Sequence, residues 1–516
     1  MPFESLGRRC DKSRPNRRIR RYGSEDALAA TSRWARRIAF STVALGVDSI
    51  GRTREVVTAA GIVDALFHPE TALRGGIPGS VRAWVGTIGK PGRRVVLARS
   101  VSGSHRGALG ETDSITIAEA ANTAAALHLP ILLVISSSGA DVREGVAALD
   151  GWGRAASAIA RCSGVVPVLT AVTGPALSGP ALLLGLSDVV VMTDDAFAYI
   201  SGPDMVASFT GIQVSMEDLG GASVHSTSSG LCALTATDER DALAAMSEVL
   251  AYLPDSTDAL APVCPSADEP DRPTPQLADL VPVGERASYD VRDIVSVVAD
   301  DFEYLELREH WAPQLVTAMA RLDGQPVGIM ANQPRSMAGT LDIAASQKGA
   351  RFVRFCDAFN LPIITLVDTP GFLPGKDLEW RGMIRHGAEL AFSYAEATVP
   401  RISVILRKAY GGAYIVMDSK GLGNDICLAW PTAQVAVMGA EGATQILHRR
   451  DPPEDRARHE EDYRRDLLTP WIAAERGYVD AVIDPCDTRS ALCGCLDLLA
   501  TRRERLRPRQ HDTGPL

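Results

Sequence analysis

The 516-residue sequence is too long for one ordinary hydrophobic core and predicts two domains of about 200 residues each, with additional tails. Its 46% hydrophobic and 22% charged residues are typical of a soluble globular protein. With 5% aromatic residues and a formal net charge of −10, the composition excludes a base-stacking or broadly basic surface for nucleic acid, so an anionic ligand needs a local site.

Residues 1–45 are predicted to form a basic tail, because they are rich in arginine and lack the apolar segment of a secretory signal. Nine cysteines occur without a CxxC pair, which is typical of reduced thiols and favours a cytoplasmic protein without a disulfide framework. The apolar stretch 174–192 has the length of a membrane span, but it contains two prolines, three glycines and Asp188. We interpret it as a turn, a helix and a strand, and expect no contact with a membrane.

Residues 46–253 are predicted to form the first domain, in which helices alternate with short buried strands. A segment with seven prolines, residues 254–288, is predicted to be a linker, because proline interrupts both helices and central strands. Residues 289–510 are predicted to form the second domain. The elements predicted in the first domain are a helix at 115–127, a strand at 129–134, a turn at 138–140, a helix, a strand at 166–169 and a turn at 174–179. Those predicted in the second are a helix at 343–359, a strand at 361–367, a turn at 369–371, a helix, a strand at 399–406 and a turn at 411–413.

The two predicted domains repeat the same order of elements at a constant distance along the chain. The offset is 232 or 233 residues at three landmarks: Pro130 and Pro362, Pro167 and Pro400, and Gly179 and Gly412. Such agreement indicates an internal duplication. Short strands that alternate with helices predict an α/β fold built from repeated ββα units.

In each half, a buried strand ends in a glycine-rich turn that begins a helix. Such a turn directs consecutive backbone N–H groups at one point, which can stabilise a negative charge that develops on a carbonyl oxygen. The alternative is that these glycines only permit tight turns and close packing of helices. Other chemistries lack their motifs: there is no GxSxG, no phosphate-binding P-loop and no histidine spacing typical of a metal site. The GxGxxA match at 151–156 follows a predicted helix rather than a strand, so it does not indicate a dinucleotide site.

Two long segments of the second half carry a resemblance to a known family. They are KGARFVRFCDAFNLPIITLVDTPGFLPG at 348–375 and EATVPRISVILRKAYGGAYIVMDSKGLGNDICLAWPTAQVAVMGAEGA at 396–443. Both closely resemble the carboxyltransferase β subunit of biotin-dependent acyl-CoA carboxylases, the propionyl-CoA or acetyl-CoA carboxylase type. The first half matches more loosely, at 138–146, 201–204 and 219–225. The resemblance covers residues 50–510.

This resemblance implies two crotonase-like (ClpP/crotonase) domains in tandem, the first for acyl-CoA and the second for biotin. It implies a homo- or hetero-hexamer with each active site between two subunits, and transfer of CO2 from carboxybiotin to the α-carbon of an acyl-CoA. Biotin is then expected on a separate carrier, supplied by a biotin carboxylase α subunit, with no metal in this chain.

The resemblance also assigns roles to particular residues. Ser178 and Gly179 match the oxyanion turn of the acyl-CoA side, and Gly412 and Ala413 match that of the biotin side. Four further residues match substrate-binding positions: Gly139, Ala140, Tyr414 and Ile415. An apolar residue at position 415 favours acetyl-CoA or a broader apolar acyl group; the alternative is a simple packing residue.

The first half departs from the family pattern at three positions. Ser178 replaces a glycine and keeps its N–H group, but its Cβ atom narrows the approach to the turn. Pro180 replaces an alanine and lacks an N–H group, and Asp141 replaces an arginine close to the expected CoA phosphates. Arg143 is expected to compensate for the charge of Asp141. These departures indicate either an unusual acyl donor or a first half that has lost activity, and we favour the unusual donor because the second half is so intact. The alternatives to a carboxylase subunit are an acyl-CoA decarboxylase or transcarboxylase of the same fold, or a catalytically degenerate partner subunit in a mixed oligomer.

Overall fold

The computed structural model describes residues 66–73, 79–90, 92–100, 105–282, 284 and 287–504, with positions 506, 508 and 513–515 beyond them. The predicted basic tail, residues 1–45, and the predicted start of the first domain at residue 46 lie outside the described residues. The described part contains two eight-stranded sheets, one in each half of the chain.

The first sheet combines an antiparallel edge with a parallel interior. Its strands are β1 (Phe67–Leu73), β2 (Val81–Ile88), β3 (Arg93–Ser100), β4 (Ile131–Ser137), β5 (Val168–Leu177), β6 (Val189–Thr193), β7 (Phe197–Tyr199) and β8 (Leu234–Ala236). They are ordered β1-β2-β3-β4-β5-β6-β8, with β7 paired to the end of β5. The strands from β3 to β8 run parallel, and β4 is a nearly continuous buried apolar run, as expected for a strand covered on both faces.

Helices connect these strands and cover the sheet. They are α1 (Glu111–Leu127), α2 (Val146–Cys162), α3 (Gly179–Leu184), α4 (Pro203–Thr210), α5 (Met216–Gly220), α6 (Ala222–Val224) and α7 (Glu239–Tyr252). The start of α1 is fixed by Asp113, whose carboxylate accepts a hydrogen bond from the Gly110 amide at 3.1 Å. The GxGxxA match lies inside α2, which confirms that it is not the strand-to-helix turn of a dinucleotide site.

The second half repeats this plan. Its strands are β9 (Tyr304–Glu306), β10 (Leu315–Leu322), β11 (Gln325–Asn332), β12 (Ile363–Thr369), β13 (Arg401–Tyr410), β14 (Ile426–Ala429), β15 (Gln434–Ala436) and β16 (Ala481–Val482), in the order β16-β14-β13-β12-β11-β10-β9 with β15 paired to β13. Its helices are α8 (Leu277–Leu280), α9 (Val291–Val298), α10 (Ile343–Ala358), α11 (Lys376–Trp380), α12 (Met383–Glu396), α13 (Gly411–Val416), α14 (Ala440–Leu447), α15 (Pro453–Leu467), α16 (Pro470–Glu475) and α17 (Thr488–Leu498). In the described part of the predicted linker, α8 is the only regular element.

The duplication extends to individual hydrogen bonds. The Leu109 amide donates to the Gly139 carbonyl at 2.8 Å, and the Leu341 amide donates to the Gly371 carbonyl at 3.2 Å. Both members of the second pair lie 232 residues after their counterparts. The two halves therefore share the loop geometry that follows β4 and β12, as well as the order of their strands.

The predicted turn at 174–179 is wrong for its first four residues, which belong to β5. Pro175 pairs in register with Phe197 of β7, and Ala176 pairs with Ser137 of β4. Pairing on both sides outweighs the local turn preference of glycine and proline, so the turn begins only at Ser178. Among the described helices, none is both long and apolar enough to cross a bilayer.

Candidate active site

The strand-to-helix turns after β5 and β13 share a residue with a positive φ of about 60°. Ser178, which precedes α3, has φ 58° and ψ −121°, and Gly411, the first residue of α13, has φ 60°. The two residues are 233 positions apart. Gly411 adopts this conformation without cost, whereas the Cβ atom of Ser178 makes the same conformation unfavourable.

In the first half, one of the two predicted N–H donors is already bonded. The Ser178 amide donates to the Tyr199 carbonyl at 3.0 Å, because β7 pairs alongside the end of β5. The Gly179 amide lies in the first turn of α3, where a helix offers no internal acceptor. Pro180, the next residue, has no N–H group. The predicted donor pair Ser178 and Gly179 is therefore reduced to the Gly179 amide.

Two further residues define the surroundings of this turn. A Cβ atom at Gly179 would lie 2.9 Å from Cδ1 of Trp152, so the indole of α2 requires glycine there. The Trp152 Nε1 atom is buried and has no hydrogen-bond partner in the described part of the chain. Gly139 adjoins the same turn, since a Cβ atom at position 139 would lie 3.5 Å from the Leu177 carbonyl oxygen. The structure thus places Gly139, a predicted substrate-binding residue, beside this turn. It also places Trp152 there, which the sequence analysis did not assign to the site.

The charge at position 141 is paired locally. The buried carboxylate of Asp141 accepts hydrogen bonds from the Arg143 amide at 3.0 Å and from Arg143 Nε at 2.8 Å. This bonding raises the pKa of the Arg143 guanidinium, whose side chain is half exposed. Ala140 forms a parallel bridge with Leu109 beside them. Arg143 therefore balances the negative charge of Asp141. In doing so, its guanidinium group is engaged in a hydrogen bond to that carboxylate.

In the second half, the first turn of α13 faces a cavity of about 450 Å³. Gly412 is exposed at its edge, and Ala413 follows it in the same turn with its side chain buried. The lining is mostly apolar and includes Phe372, Met383 and Ile415, with Glu379 as its charged member. Two consecutive amides at a helix start, next to an apolar cavity, form a site for a developing oxygen anion.

The two remaining predicted residues, Tyr414 and Ile415, lie on different sides of α13. Ile415 lines the cavity and is 45% exposed, which leaves it able to contact a ligand. Tyr414 is buried on the opposite side of α13, where burial and the neighbouring Cys427 thiol raise the pKa of its hydroxyl. Tyr414 therefore packs on the buried side of the helix, and its role in substrate binding stays a prediction.

A buried ion pair holds the end of α13. Arg401 Nη1 donates to Asp418 Oδ1 at 2.6 Å, and both side chains are almost fully enclosed. Burial raises the pKa of the Asp418 carboxyl to about 7, and Arg401 opposes that change. Asp418 lies just after α13 and has φ 58°. Sequence reasoning missed this pair, although an arginine at the start of an apolar strand was a usable signal.

Comparisons with known proteins show the family of this chain. The family described as "Carboxyl transferase domain" matches residues 62–513. The propionyl-CoA carboxylase beta chain of Saccharopolyspora erythraea is 44% identical over 457 residues, which cover 85% of this chain and 83% of that protein. The methylmalonyl-CoA decarboxylase subunit alpha of Veillonella parvula is 43% identical over 411 residues, which cover 80% of each chain.

A solved structure shows the same architecture. The transcarboxylase 12S structure with methylmalonyl-coenzyme A and methylmalonic acid bound superposes with a TM-score of 0.84 at 39% identity, and the match covers 89% of this chain and 92% of that one. This likeness confirms the predicted tandem crotonase-like fold. The chain therefore belongs to the carboxyl transferase domain family, as a carboxyltransferase β subunit of the biotin-dependent acyl-CoA carboxylase type.

Proposed function

We propose that this chain transfers CO2 from carboxybiotin, on a separate carrier subunit, to the α-carbon of an acyl-CoA. The observation that carries the proposal is the repeated strand-to-helix turn, which places an amide at Gly179 in one half and amides at Gly412 and Ala413 in the other. The reaction generates negative charge on two oxygens, that of the thioester and that of the biotin ureido group. Two separate turns match two separate anions.

The first-half turn acts on the acyl-CoA. The Gly179 amide donates to the thioester oxygen and stabilises the enolate that forms when the α-proton is removed. Trp152 packs against Gly179 and fixes the position of the turn relative to α2. With Pro180 beside it, this half supplies one backbone donor where the other half supplies two.

The second-half turn acts on biotin. The Gly412 and Ala413 amides would hold the ureido oxygen, and the apolar cavity around Phe372 and Met383 would receive the ring. When bound, carboxybiotin supplies CO2 and a ureido nitrogen that becomes basic once CO2 has left. The donor set and the cavity of about 450 Å³ fit a small bicyclic group of this kind.

Ile415 supports a preference among acyl groups. Its side chain is apolar and borders the cavity proposed for biotin, next to Gly412. The α-carbon of the acyl group must reach the carboxyl group carried by biotin, so the acyl chain also comes to this border. An apolar wall favours acetyl-CoA or a longer apolar acyl chain over a substrate that needs a polar partner. We place the working site between two copies of the chain in a hexamer, with an α subunit that carries biotin, because the solved transcarboxylase 12S relative is described as a hexamer.

Relatives with other activities favour a second candidate function, decarboxylation or transcarboxylation of an acyl-CoA. The decarboxylase subunit of Veillonella parvula and the transcarboxylase 12S structure match this chain about as well as the carboxylase does. Both use the same fold, so the direction of carboxyl transfer depends on the partner subunits. The single donor of the first-half turn favours a third candidate, a partner subunit that completes sites in a mixed oligomer.

One assay separates these candidates. The purified chain is combined with its biotinylated α subunit, ATP, labelled bicarbonate and a panel of acyl-CoA substrates. Fixation of label that requires the α subunit supports the proposal. Release of CO2 from malonyl-CoA or methylmalonyl-CoA without ATP, together with no fixation, supports the decarboxylase. Absence of both activities, with co-purification of a second β-type chain, supports the degenerate partner.

A further inference from the structure

Three side chains that commonly bind metal ions meet where α14 is joined to α15. His448 Nδ1 lies 2.9 Å from Asp451 Oδ2, and His459 Nε2 lies 3.5 Å from the same oxygen. The three possible ligand atoms all lie within 4.8 Å of one another. This proximity is not evident from the sequence, because seven residues separate Asp451 from His459 in the chain.

The local backbone holds the three residues in place. His448 ends α14, and the Asp451 amide donates to the His448 carbonyl at 3.1 Å, which closes a tight turn. Pro452 and Pro453 then start α15 with restricted backbone angles, and His459 lies in the second turn of that helix. Because His448 is at the carboxyl end of α14, the partial negative charge there favours a cation.

The distances suit a transition-metal ion. Two ligands about 2.0–2.1 Å from a tetrahedral ion are about 3.3 Å apart, and the observed separations of 2.9 and 3.5 Å lie on either side of that value. The two imidazole rings stack with centroids 3.7 Å apart and an angle of 10° between their planes, so one ring must rotate for both nitrogens to bind the same ion in their ring planes. Arg449 and Arg450 are the neighbouring cations, and both are exposed, where water and salt weaken their repulsion.

The three residues join α14 and α15, two helices that pack near the start of the turn at Gly411. The hairpin formed by α14 and α15 contributes Ala440 and Tyr463 to a small apolar cluster with Tyr410 and Leu468. Tyr410 immediately precedes Gly411. We propose that His448, Asp451 and His459 bind one divalent ion of the zinc class, which joins α14 to α15 and leaves a fourth position for water. This site is separate from the cavity beside Gly412 and is independent of the proposed function.

The test uses the full-length, metal-free chain with a non-chelating reductant. Zinc chloride is titrated by calorimetry, and the thermal unfolding midpoint is measured with and without zinc. The variants are His448→Ala, His459→Ala and the near-isosteric His459→Gln. The control is His310→Ala, which changes an exposed histidine elsewhere in the same half.

We expect one zinc ion per chain for the wild type and for His310→Ala, with a rise in the unfolding midpoint. In each variant of a proposed ligand, zinc affinity should fall by at least about tenfold and the rise should disappear, while the zinc-free midpoint of His459→Gln stays near that of the wild type. Absence of zinc binding in the wild type overturns the proposal. Equal binding in all variants also overturns it, because the ion is then held by other residues such as the cysteines.

Discussion

Ser178 and Gly411 occupy equivalent positions in the two halves and share a positive φ of about 60°, but only Ser178 carries a side chain. Both copies therefore have a positive φ at this position, although only the second copy has glycine, the residue that adopts it easily. Since α3 and α13 both begin at this point, the conformation sets the direction of the amides that follow. The strain at Ser178 is the local cost of retaining that direction.

Replacing Ser178 with glycine should stabilise the protein. Residues with a Cβ atom in such a region lose about 1–3 kcal/mol, and the extra freedom of glycine in the unfolded chain offsets about 0.5–1 kcal/mol of the gain. We expect Ser178→Gly to raise the free energy of unfolding by about 1 kcal/mol, measured by denaturant titration. The reciprocal variant, Gly411→Ser, should lower it, since its Cβ would also lie 3.1 Å from the Val437 carbonyl oxygen. A neutral effect of both changes would argue against strain at this position.

The Gly412 amide should be essential for turnover. Gly412→Pro removes this N–H group within the first turn of α13, where proline is tolerated by a helix, and the loss of one such donor elsewhere lowers kcat about 10²–10³-fold. The matched control is Gly412→Ala, because a Cβ atom there would meet Phe372 at an ordinary 3.5 Å. We expect the alanine variant to keep most of its activity in the labelled-bicarbonate assay. Normal turnover by a folded Gly412→Pro variant would refute the role of this amide.

Removing the charge of Asp141 should improve the binding of acyl-CoA. In Asp141→Asn, the side-chain oxygen still accepts from the Arg143 amide, but the Arg143 guanidinium is released from its ion pair and can meet a CoA phosphate. Because the Arg143 side chain is half exposed, its new contact with a phosphate is screened by water and contributes up to about 1 kcal/mol, so KM for acyl-CoA should fall up to about fivefold. The effect should shrink at high salt. Asp150→Asn, which disrupts the exposed pair with Arg154, should leave KM unchanged.

Lys348 should make the free energy of unfolding rise with pH in the alkaline range. Its ammonium group is buried in α10 and donates to the Arg308 and Trp311 carbonyls at 2.8 and 2.9 Å, and burial lowers its pKa to about 7. Between pH 7 and about 10.4, the unfolded chain retains a proton that the folded chain has lost, so the free energy of unfolding rises with pH. The slope is at most about 1.4 kcal/mol per pH unit.

The measurement compares wild type with Lys348→Met by urea unfolding from pH 6 to 10. The difference in unfolding free energy between the two proteins should increase in favour of the wild type above pH 7 and stay constant below it. The methionine variant also removes the hydrogen bonds from Lys348 to the Arg308 and Trp311 carbonyls, of which the Arg308 carbonyl keeps the Trp311 amide as a donor, and this loss lowers stability equally at each pH. A difference that does not change across the alkaline window would show that Lys348 keeps its proton in the folded state.

The fold class and the duplication were predictable from the sequence because they depend on patterns that repeat. Buried parallel strands are continuous apolar runs, and the matched prolines and glycines at a fixed offset identify two copies. The limits of β5 were less predictable, since pairing with β4 and β7 extended it through Gly174 and Pro175. Backbone pairing between distant segments leaves no local signal.

The candidate site was predictable in part. Gly179 and Gly412 lie where a strand ends and a helix begins, as predicted for the two turns, and Ile415 borders a cavity that the sequence did not predict. The roles of these residues stay predictions. The bond from the Ser178 amide to Tyr199 and the inward position of Tyr414 depend on tertiary contacts that no motif encodes. For the same reason, the histidines of α14 and α15 looked scattered in the chain and meet only in space.

The contact between Trp152 and Gly179 places an intrinsic fluorophore beside the first-half turn. The indole ring is one of seven in the sequence and lies against the residue whose amide is proposed to bind the thioester oxygen. Its Nε1 atom has no acceptor among the described residues, so a polar group that enters the turn changes the environment of the fluorophore directly. Occupancy of the acyl-CoA side can thus be followed by intrinsic fluorescence, without a label, a coupled assay or the partner subunit.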